Sequence, residues 1–364
     1  METNSNLISN VRLINQRIAV SEFKTAKEIV SWMGAMQAQD YPMSKWAIGL
    51  RLPEISDEKI VSSINKGDIL RLHVLRPTWH FISSDDVYWM LQLSAPKIKA
   101  SLKSRHKELG LTESLITKTT DIIEKTLSNG KSLTRDELAD EFHKAGIRTD
   151  ANRLSHILFH AEMDGIVCSG PVKNNKLTYA MLSERVPHKK DLSRDEALAE
   201  LAKRYFTSRC PATLEDFIWW SNLPVKDGQK ALDSVKSDFS PEKIGGKNYW
   251  LSDSFSGEVS EATSLHLLPA YDEFLISYKD RSNSLALIHN KRTVSDNGIF
   301  YPTIVIDGQV GGLWKRTTQK TRVIIEISLF KNPSVHIRKQ IEIKASLFGK
   351  FLQKETEVIQ KPKT

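Results

Sequence analysis

The chain of 364 residues has 26% charged, 40% hydrophobic and 8% aromatic residues, the composition of an ordinary globular protein and not of a disordered or fibrous one. It carries 52 Lys+Arg against 44 Asp+Glu, a net charge of +8, and this balance favours a polyanionic partner through phosphate neutralisation and counterion release. No apolar run of roughly 18 residues is present to span a bilayer, and Met1 to Asn10 lack the apolar stretch of a signal peptide, so a cytoplasmic protein with no membrane partner is expected. Cys168 and Cys210 form no CxxC pair, which speaks against a disulfide scaffold or a thiolate metal cluster.

Hydrophobic periodicity divides the chain into a mainly helical part, up to about residue 250, and a part from 264 to about 345 that alternates in the period-2 manner of strands. Within the helical part, a unit of helices closed by a two-strand hairpin recurs. The first copy has helical stretches AKEIVSWMGAM, SKWAIGL and DEKIVSSINKG, then strands ILRLHV and TWHFIS around Leu75-Arg76-Pro77. A connector, 95–130, reads as two helices, the first with a basic face. The second copy is the clearest: Thr134 and Glu137 make a capping box for TRDELADEFHKAG, Gly146 ends that helix, and a second helix runs from about Asp150 to Asp164 and ends at Gly165. IVCSGPVKNNKLTYAML follows as a hairpin with a basic tip, which completes a winged helix-turn-helix. The third copy has helices SRDEALAELAKRYF, TLEDFIWWS and VKDGQKALDSVKSDF, with short strands on either side of Gly245-Gly246.

The expected fold class is therefore α+β, mainly α: three tandem winged helix-turn-helix units followed by a C-terminal β-rich domain. The boundaries are 5–94, 131–185 and 190–255 for the winged helices, 95–130 for the connector, 260–350 for the β-rich domain and 351–364 for a tail.

Several chemistries find no support. His156 and His160 stand four apart on one helix face, but Ile157 replaces the glutamate of a metalloprotease helix, so a satisfied or half-buried pair is expected and no metal. GQVGGLWKR reads as a tight hairpin and not as a phosphate cradle, and no GxSxG elbow occurs. What remains is amide chemistry beside basic residues. The helix AKEIVSWMGAM runs into Gln37-Ala38-Gln39-Asp40-Tyr41-Pro42, and Pro42 is expected to end it at or just before Tyr41, leaving Gln37 and Gln39 in a turn at a helix C-terminus. Two such amides converge on one water or one sugar if the segment is extended. Basic and aromatic residues interleave nearby at Arg71, His73, Arg76, Trp79 and His80, and again in LLPAYDEFLISYKDRS and FYPTIVIDGQVGGLWKRT. There Trp314 reads as core, whereas Lys315-Arg316 are poorly explained as edge residues.

QAQD, RPTWHF followed by DDVYWMLQLSAP, LLPAYDEFLISYKDRS and PTIVIDGQVGGLWKRT resemble, in order and spacing, the large bacterial family of winged helix DNA-binding proteins that contains the AlkZ and YcaQ DNA glycosylases. The likeness runs over about residues 5 to 345. It implies three winged helices and a β domain in a C-shaped clamp on double-stranded DNA, with no cofactor. It also implies a catalytic motif of two polar residues around an apolar one, Gln-x-Gln in the AlkZ type and Gln-x-Asp in the YcaQ type. Gln37-Ala38-Gln39 is similar to the AlkZ form.

The implied activity is hydrolysis of the N-glycosidic bond of cationic N-alkylated purines, including bulky or crosslinked N7-alkylguanine. An alkylated purine leaves as a neutral base, so a water positioned by Gln37 and Gln39 and polar groups facing an oxocarbenium-like transition state suffice. The expected DNA contacts are Arg71, Arg76, Trp79, His80, Lys279, Arg281, Lys315 and Arg316, on a monomer in the cytoplasm, nucleoid-associated. Lys45 is the lysine nearest in sequence to the motif and is expected to be solvated, not a nucleophile. The alternative function is a non-enzymatic winged helix protein, regulatory or architectural, that binds DNA as a dimer.

Overall fold

The computed structural model describes residues 2–252 and 264–360. About 48% of the chain is helical, with several small sheets, in agreement with an α+β fold dominated by helices. The expected junction between the third winged helix and the β-rich domain, 255–260, and the last four residues of the expected tail lie outside the described residues. The chain forms two compact units, one built from residues up to Ile60 together with those from Ala199, the other from Val61–Leu198.

In the Val61–Leu198 unit, strands Ile69–His73 and Trp79–Ser83 pair antiparallel, with Ile69 opposite Ser83 and His73 opposite Trp79. The helix Val87–Glu108 continues without a break through residue 94, where a boundary was expected. Pro96 inside it is exposed, as is Gln92 one turn earlier, so the carbonyl that loses its donor lies on the solvent side. Glu113–Leu127 follows, then the strand Ser132–Thr134, helices Arg135–Lys144 and Arg153–Met163, and strands Val167–Ser169 and Thr178–Met181. The three strands form one sheet with Thr178–Met181 in the centre. Ile123, Leu127, Leu138, Phe142, Ile157, Leu158 and Val167 make the core beneath it.

Local signals in this unit act as expected. Thr134 accepts from the Glu137 amide while Glu137 accepts from the Thr134 amide, and Gly146 and Gly165 take φ of +72° and +69° beyond the helix ends. At the hairpin tip Asn174 and Asn175 both have positive φ, 49° and 61°, the requirement of a two-residue type I′ turn.

In the other unit, five strands lie in the order Leu265–Leu268, Thr303–Ile306, Gln309–Thr318, Arg322–Leu329, Glu355–Gln360. All pair antiparallel except the last two, which are parallel. Val310, Gly312 and Trp314 point inward along one strand and Val323, Ile325 and Ile327 along the next, which is the alternation read in the sequence. The turn at Asp307-Gly308, φ +49° and +77°, makes GQVGGLWKR the hairpin expected.

Two elements differ from expectation. Val335–Leu352 is a helix of 18 residues where strands were expected to about 345, and Glu355–Gln360, expected as tail, is the edge strand. The helix buries Ile341, Ala345, Phe348 and Phe351 at helical spacing, but Val335, Ile343 and Leu347 are exposed and mimic the alternation of a strand. Its rings meet Trp314 and Trp46, with Phe348 centroids 5.2 and 5.1 Å away. The helix Tyr41–Leu50 lies so close that a Cβ on Gly49 would stand 2.6 Å from the Phe351 ring. Before the sheet come helices Arg194–Arg209, Leu214–Ser221 and Val225–Asp233 and the hairpin Phe239–Ile244/Lys247–Ser252, as read from the third copy.

His106, His156 and His160 gather on the Val61–Leu198 unit, with the His106 ring 5.3 and 5.8 Å from the other two. Both members of the expected half-buried pair are indeed half-buried. Burial, then Lys99 and His106, push the His160 pKa down to about 4, although Asp164 lies 2.8 Å from its Nδ1. The unfolded imidazole titrates near ~6.5. Between those values the unfolded chain takes a proton that the folded one refuses, so this histidine's share of stability is complete above about pH 6.5 and declines as pH falls toward 4. An NMR titration of the imidazole Cε1 proton is expected to place His160 near 4, and a midpoint near 6.5 would contradict the burial argument.

Candidate active site around Gln37 and Gln39

The segment that carries the two glutamines follows the helix Ala26–Met33, which Thr25 and Glu28 cap as a capping box. That helix does not continue to Met36, and Gln37 is not at its C-terminus. Gly34 takes φ +70° and ends it, residues Ala35–Gln37 run as a short strand, and a new helix, Tyr41–Leu50, begins after Asp40. Pro42 sits in the first turn of that new helix, where a missing amide hydrogen costs nothing, so it starts a helix and does not end one.

Two buried side chains hold the extended backbone. Arg209 donates to the carbonyls of Met33 and Ala35 at 2.7 and 2.9 Å, and Glu273 accepts the amide of Gln37 at 2.8 Å. In a continued helix the Gln37 amide would bond the Met33 carbonyl. The pair therefore takes over both ends of that one helical hydrogen bond. Arg209 and Glu273 also bond each other at 2.9 Å, and Trp220 and Ser277 donate to the same carboxylate oxygen at 3.0 and 2.5 Å. Burial alone would raise the Glu273 pKa, but the Arg209 guanidinium, the Ser277 hydroxyl and the Gln37 amide outweigh it and bring the value down to about 2.

Gln37 is buried, 5% exposed, whereas Gln39 is exposed in the bend before the next helix. Asp40 caps that helix, its Oδ1 accepting from Met43 at 3.1 Å and lying 3.9 Å from Arg316. The expectation that Lys45 is solvated is corrected: its side chain is mostly buried and its ammonium lies 2.6 Å from Asp57. A paired ammonium is a poor amine nucleophile. Asp272, next to Glu273, binds the fully buried Arg51 through both oxygens at 2.9 Å. Tyr271, one residue earlier, has φ +57°, and burial followed by Asp40 and Tyr301 raises the pKa of its hydroxyl.

The expected DNA contacts fall into two groups. In the Val61–Leu198 unit, Arg71 lies 4.1 Å over the Trp79 ring, which stacks on His73 at 3.9 Å, and His73 meets Phe159 and Glu162. The interleaving of basic and aromatic residues is thus a packed ladder. Arg71 and His80 are 8% and 0% exposed. Arg76 and Trp79 are half-buried. In the other unit Lys279 and Lys315 are exposed, Arg316 is half-buried, and Arg281 lies over the Trp219 and Phe300 rings at 5.4 and 4.9 Å. Trp314 is core, its indole donating to the Leu268 carbonyl.

Sequence reasoning missed Arg209 and Glu273 as holders of the motif. Glu273 lies in AYDEF, one of the stretches that carried the family likeness, whereas nothing local to Arg209 marks it. Among the described residues no group of three or more His, Cys, Asp or Glu is placed to hold a metal ion, and no helix is long and apolar enough to cross a membrane.

Compared with known proteins, residues 30–351 match the family described as DNA glycosylase AlkZ-like. An interstrand DNA cross-link repair glycosylase from Streptomyces sahachiroi is 22% identical over 310 residues, 81% of this chain and 83% of that protein. The solved structure of the Streptomyces sahachiroi DNA glycosylase AlkZ superposes with a TM-score of 0.81 at 20% identity, covering 98% of this chain and 99% of that one.

Glu273→Gln keeps the shape of the side chain and removes its charge, leaving Arg209 buried without a counter-ion. A loss of roughly 3–5 kcal/mol in urea-unfolding stability is expected. Because the folded pKa lies below that of an unfolded glutamate, the wild-type contribution is full above about pH 4.3 and fades as pH falls toward 2. A variant as stable as wild type at pH 7 would show that the pair does not hold the segment.

Proposed function

Because the chain belongs to the AlkZ-like DNA glycosylase family, we propose that it hydrolyses the N-glycosidic bond of cationic N-alkylated purines in duplex DNA, with Gln37 and Gln39 positioning the attacking water. The observation that carries this reading is that the Gln37-Ala38-Gln39 segment lies outside helical geometry, with the Gln37 backbone amide held by a buried Glu273 that is paired with Arg209. Amide oxygens accept from a water without being titrated, and amide nitrogens donate to sugar or phosphate oxygens. The alkylated base is already cationic and departs neutral, so no acid is required. The transition state needs a placed water and fixed dipoles, and a motif clamped at its backbone provides both with little reorganisation.

The relative described as an interstrand cross-link repair glycosylase extends the proposed substrates to bulky and crosslinked N7-alkylguanine. Binding of duplex by winged helices is supported by the order of elements in Ser132–Met181, which is strand, two helices and a two-strand hairpin. The net charge of +8 and the exposed Lys279 and Lys315 support phosphate contact, joined by Arg281 and Arg316, with the protein acting as a monomer near the nucleoid.

Duplex carrying N7-methylguanine is expected to yield alkali-labile abasic sites with wild type and almost none with the Gln37→Ala, Gln39→Ala double variant. Uracil, which would need an activated leaving group, is expected to stay in place, and borohydride is expected to trap no protein–DNA adduct. Unchanged excision by the double variant would remove the glutamines from the mechanism. Affinity for undamaged duplex is expected to fall by roughly 10³ between 50 and 200 mM salt if about six phosphates are contacted, and a flat salt titration would exclude that many.

A further inference from the structure

We propose that Asp40 is the anion of this site, its carboxylate facing the positive charge of the alkylated base and of the oxocarbenium-like sugar. The Gln-x-Gln chain then takes from the residue after its motif the negative charge that the Gln-x-Asp form carries within it. The inference rests on the glycosylase reading above.

Four observations converge on this residue. Asp40 directly follows the exposed Gln39, and its side chain is 37% accessible, so a ligand held at Gln39 can reach it. Its Oδ1 is fixed by the Met43 amide in the first turn of the helix Tyr41–Leu50, which sets the carboxylate in place before any ligand arrives. Oδ2 makes no hydrogen bond among the described residues, which leaves one acceptor edge for a ligand. The charged neighbour, Arg316, stands 3.9 Å away and is itself partly exposed; at that separation the contact is a screened ion pair, weak enough to be exchanged.

Burial, followed by Asp40 and Tyr301, raises the pKa of the Tyr271 hydroxyl. Its backbone is held at φ +57°, an uncommon conformation for an aromatic residue, immediately before the Asp272 and Glu273 anchors. A carboxylate that is accessible beside Gln39 attracts a delocalised cation through its charge. Neither glutamine of the motif supplies that charge.

The test compares two duplexes that differ in one residue: a pyrrolidine abasic analogue, cationic like the transition state, and a neutral tetrahydrofuran abasic site. Wild type is expected to bind the cationic duplex roughly ten-fold more tightly than the neutral one, and Asp40→Asn to bind both alike. Asparagine caps a helix as well as aspartate does, so the fold is retained, and Asp40→Ser, also a capping residue, gives a second variant. Equal preference in wild type and variants, or none in wild type, overturns the assignment. Excision is read separately: Asp40→Asn is expected to lower kcat on N7-methylguanine with little change in KM, and a wild-type kcat in this variant overturns the assignment while leaving the glutamines in place. A wild type that excises no N7-methylguanine counts against the glycosylase reading on that base, and the binding comparison still decides whether Asp40 recognises a cation.

Discussion

The ion pair between Arg209 and Glu273 is the contact on which the candidate site depends. It lies fully buried and joins residues 64 positions apart, and both of its side chains also hold the backbone of Met33 to Gln37. A buried pair of this kind adds little net stability over well-packed apolar residues of the same size, because desolvation of two charges offsets their attraction. An apolar pair would not accept the Gln37 amide or donate to the Met33 and Ala35 carbonyls. What the charges contribute is direction, since they hold the extended backbone that follows Gly34.

The same device recurs at the other fully buried arginines of this unit. Arg51 binds Asp272 through both oxygens and reaches the carbonyls of Gln16 and Ala47. Arg12 donates to the Pro211 carbonyl, stands 3.9 Å from Asp216 and lies 3.6 Å over the Tyr278 ring. Asn15 and Gln16 add bonds to the Cys210 carbonyl and the Tyr278 hydroxyl. Each arginine thus ties a helix near one end of the sequence to a segment beyond residue 200. Such contacts are specific in direction and distance, unlike apolar packing, and they fix the first helix, the motif and the AYDEF segment as one body.

The AYDEF segment gathers two supports in adjacent residues. Glu273 holds the Gln37 amide and Asp272 anchors Arg51, directly after Tyr271 with its left-handed backbone. Burial separates the roles: Glu273 and Asp272 are interior and paired, whereas Asp40 and Gln39 remain accessible to a ligand. The basic and aromatic interleaving of Arg71, His73 and Trp79 turns out to be a packed cluster, with the Arg71 guanidinium over the Trp79 ring and the His73 ring against it.

Local rules in the sequence determined much of the architecture. The Thr134/Glu137 capping box, the glycines after helices, the Asn174-Asn175 and Asp307-Gly308 turns and the period-2 alternation of Gln309–Leu329 each depend on residues within a few positions of one another, and each stands in the structure as read. The two glutamines were legible as a motif through the family likeness, and so were Lys315 and Arg316 as residues beyond a core tryptophan. Gly34 ends the helix before the motif, a local signal, whereas tertiary structure decided how the segment beyond it is held, by side chains 170 and more positions away. It also decided that Val335–Leu352 is a helix and Glu355–Gln360 its parallel edge strand, since exposed Val335, Ile343 and Leu347 disguise the helical period and a parallel partner leaves no turn signal between neighbouring strands. The burial of Arg71 and His80 follows for the same reason: whether a basic residue faces water or stacks inside is settled by what the rest of the chain places against it, and no neighbouring residue encodes that.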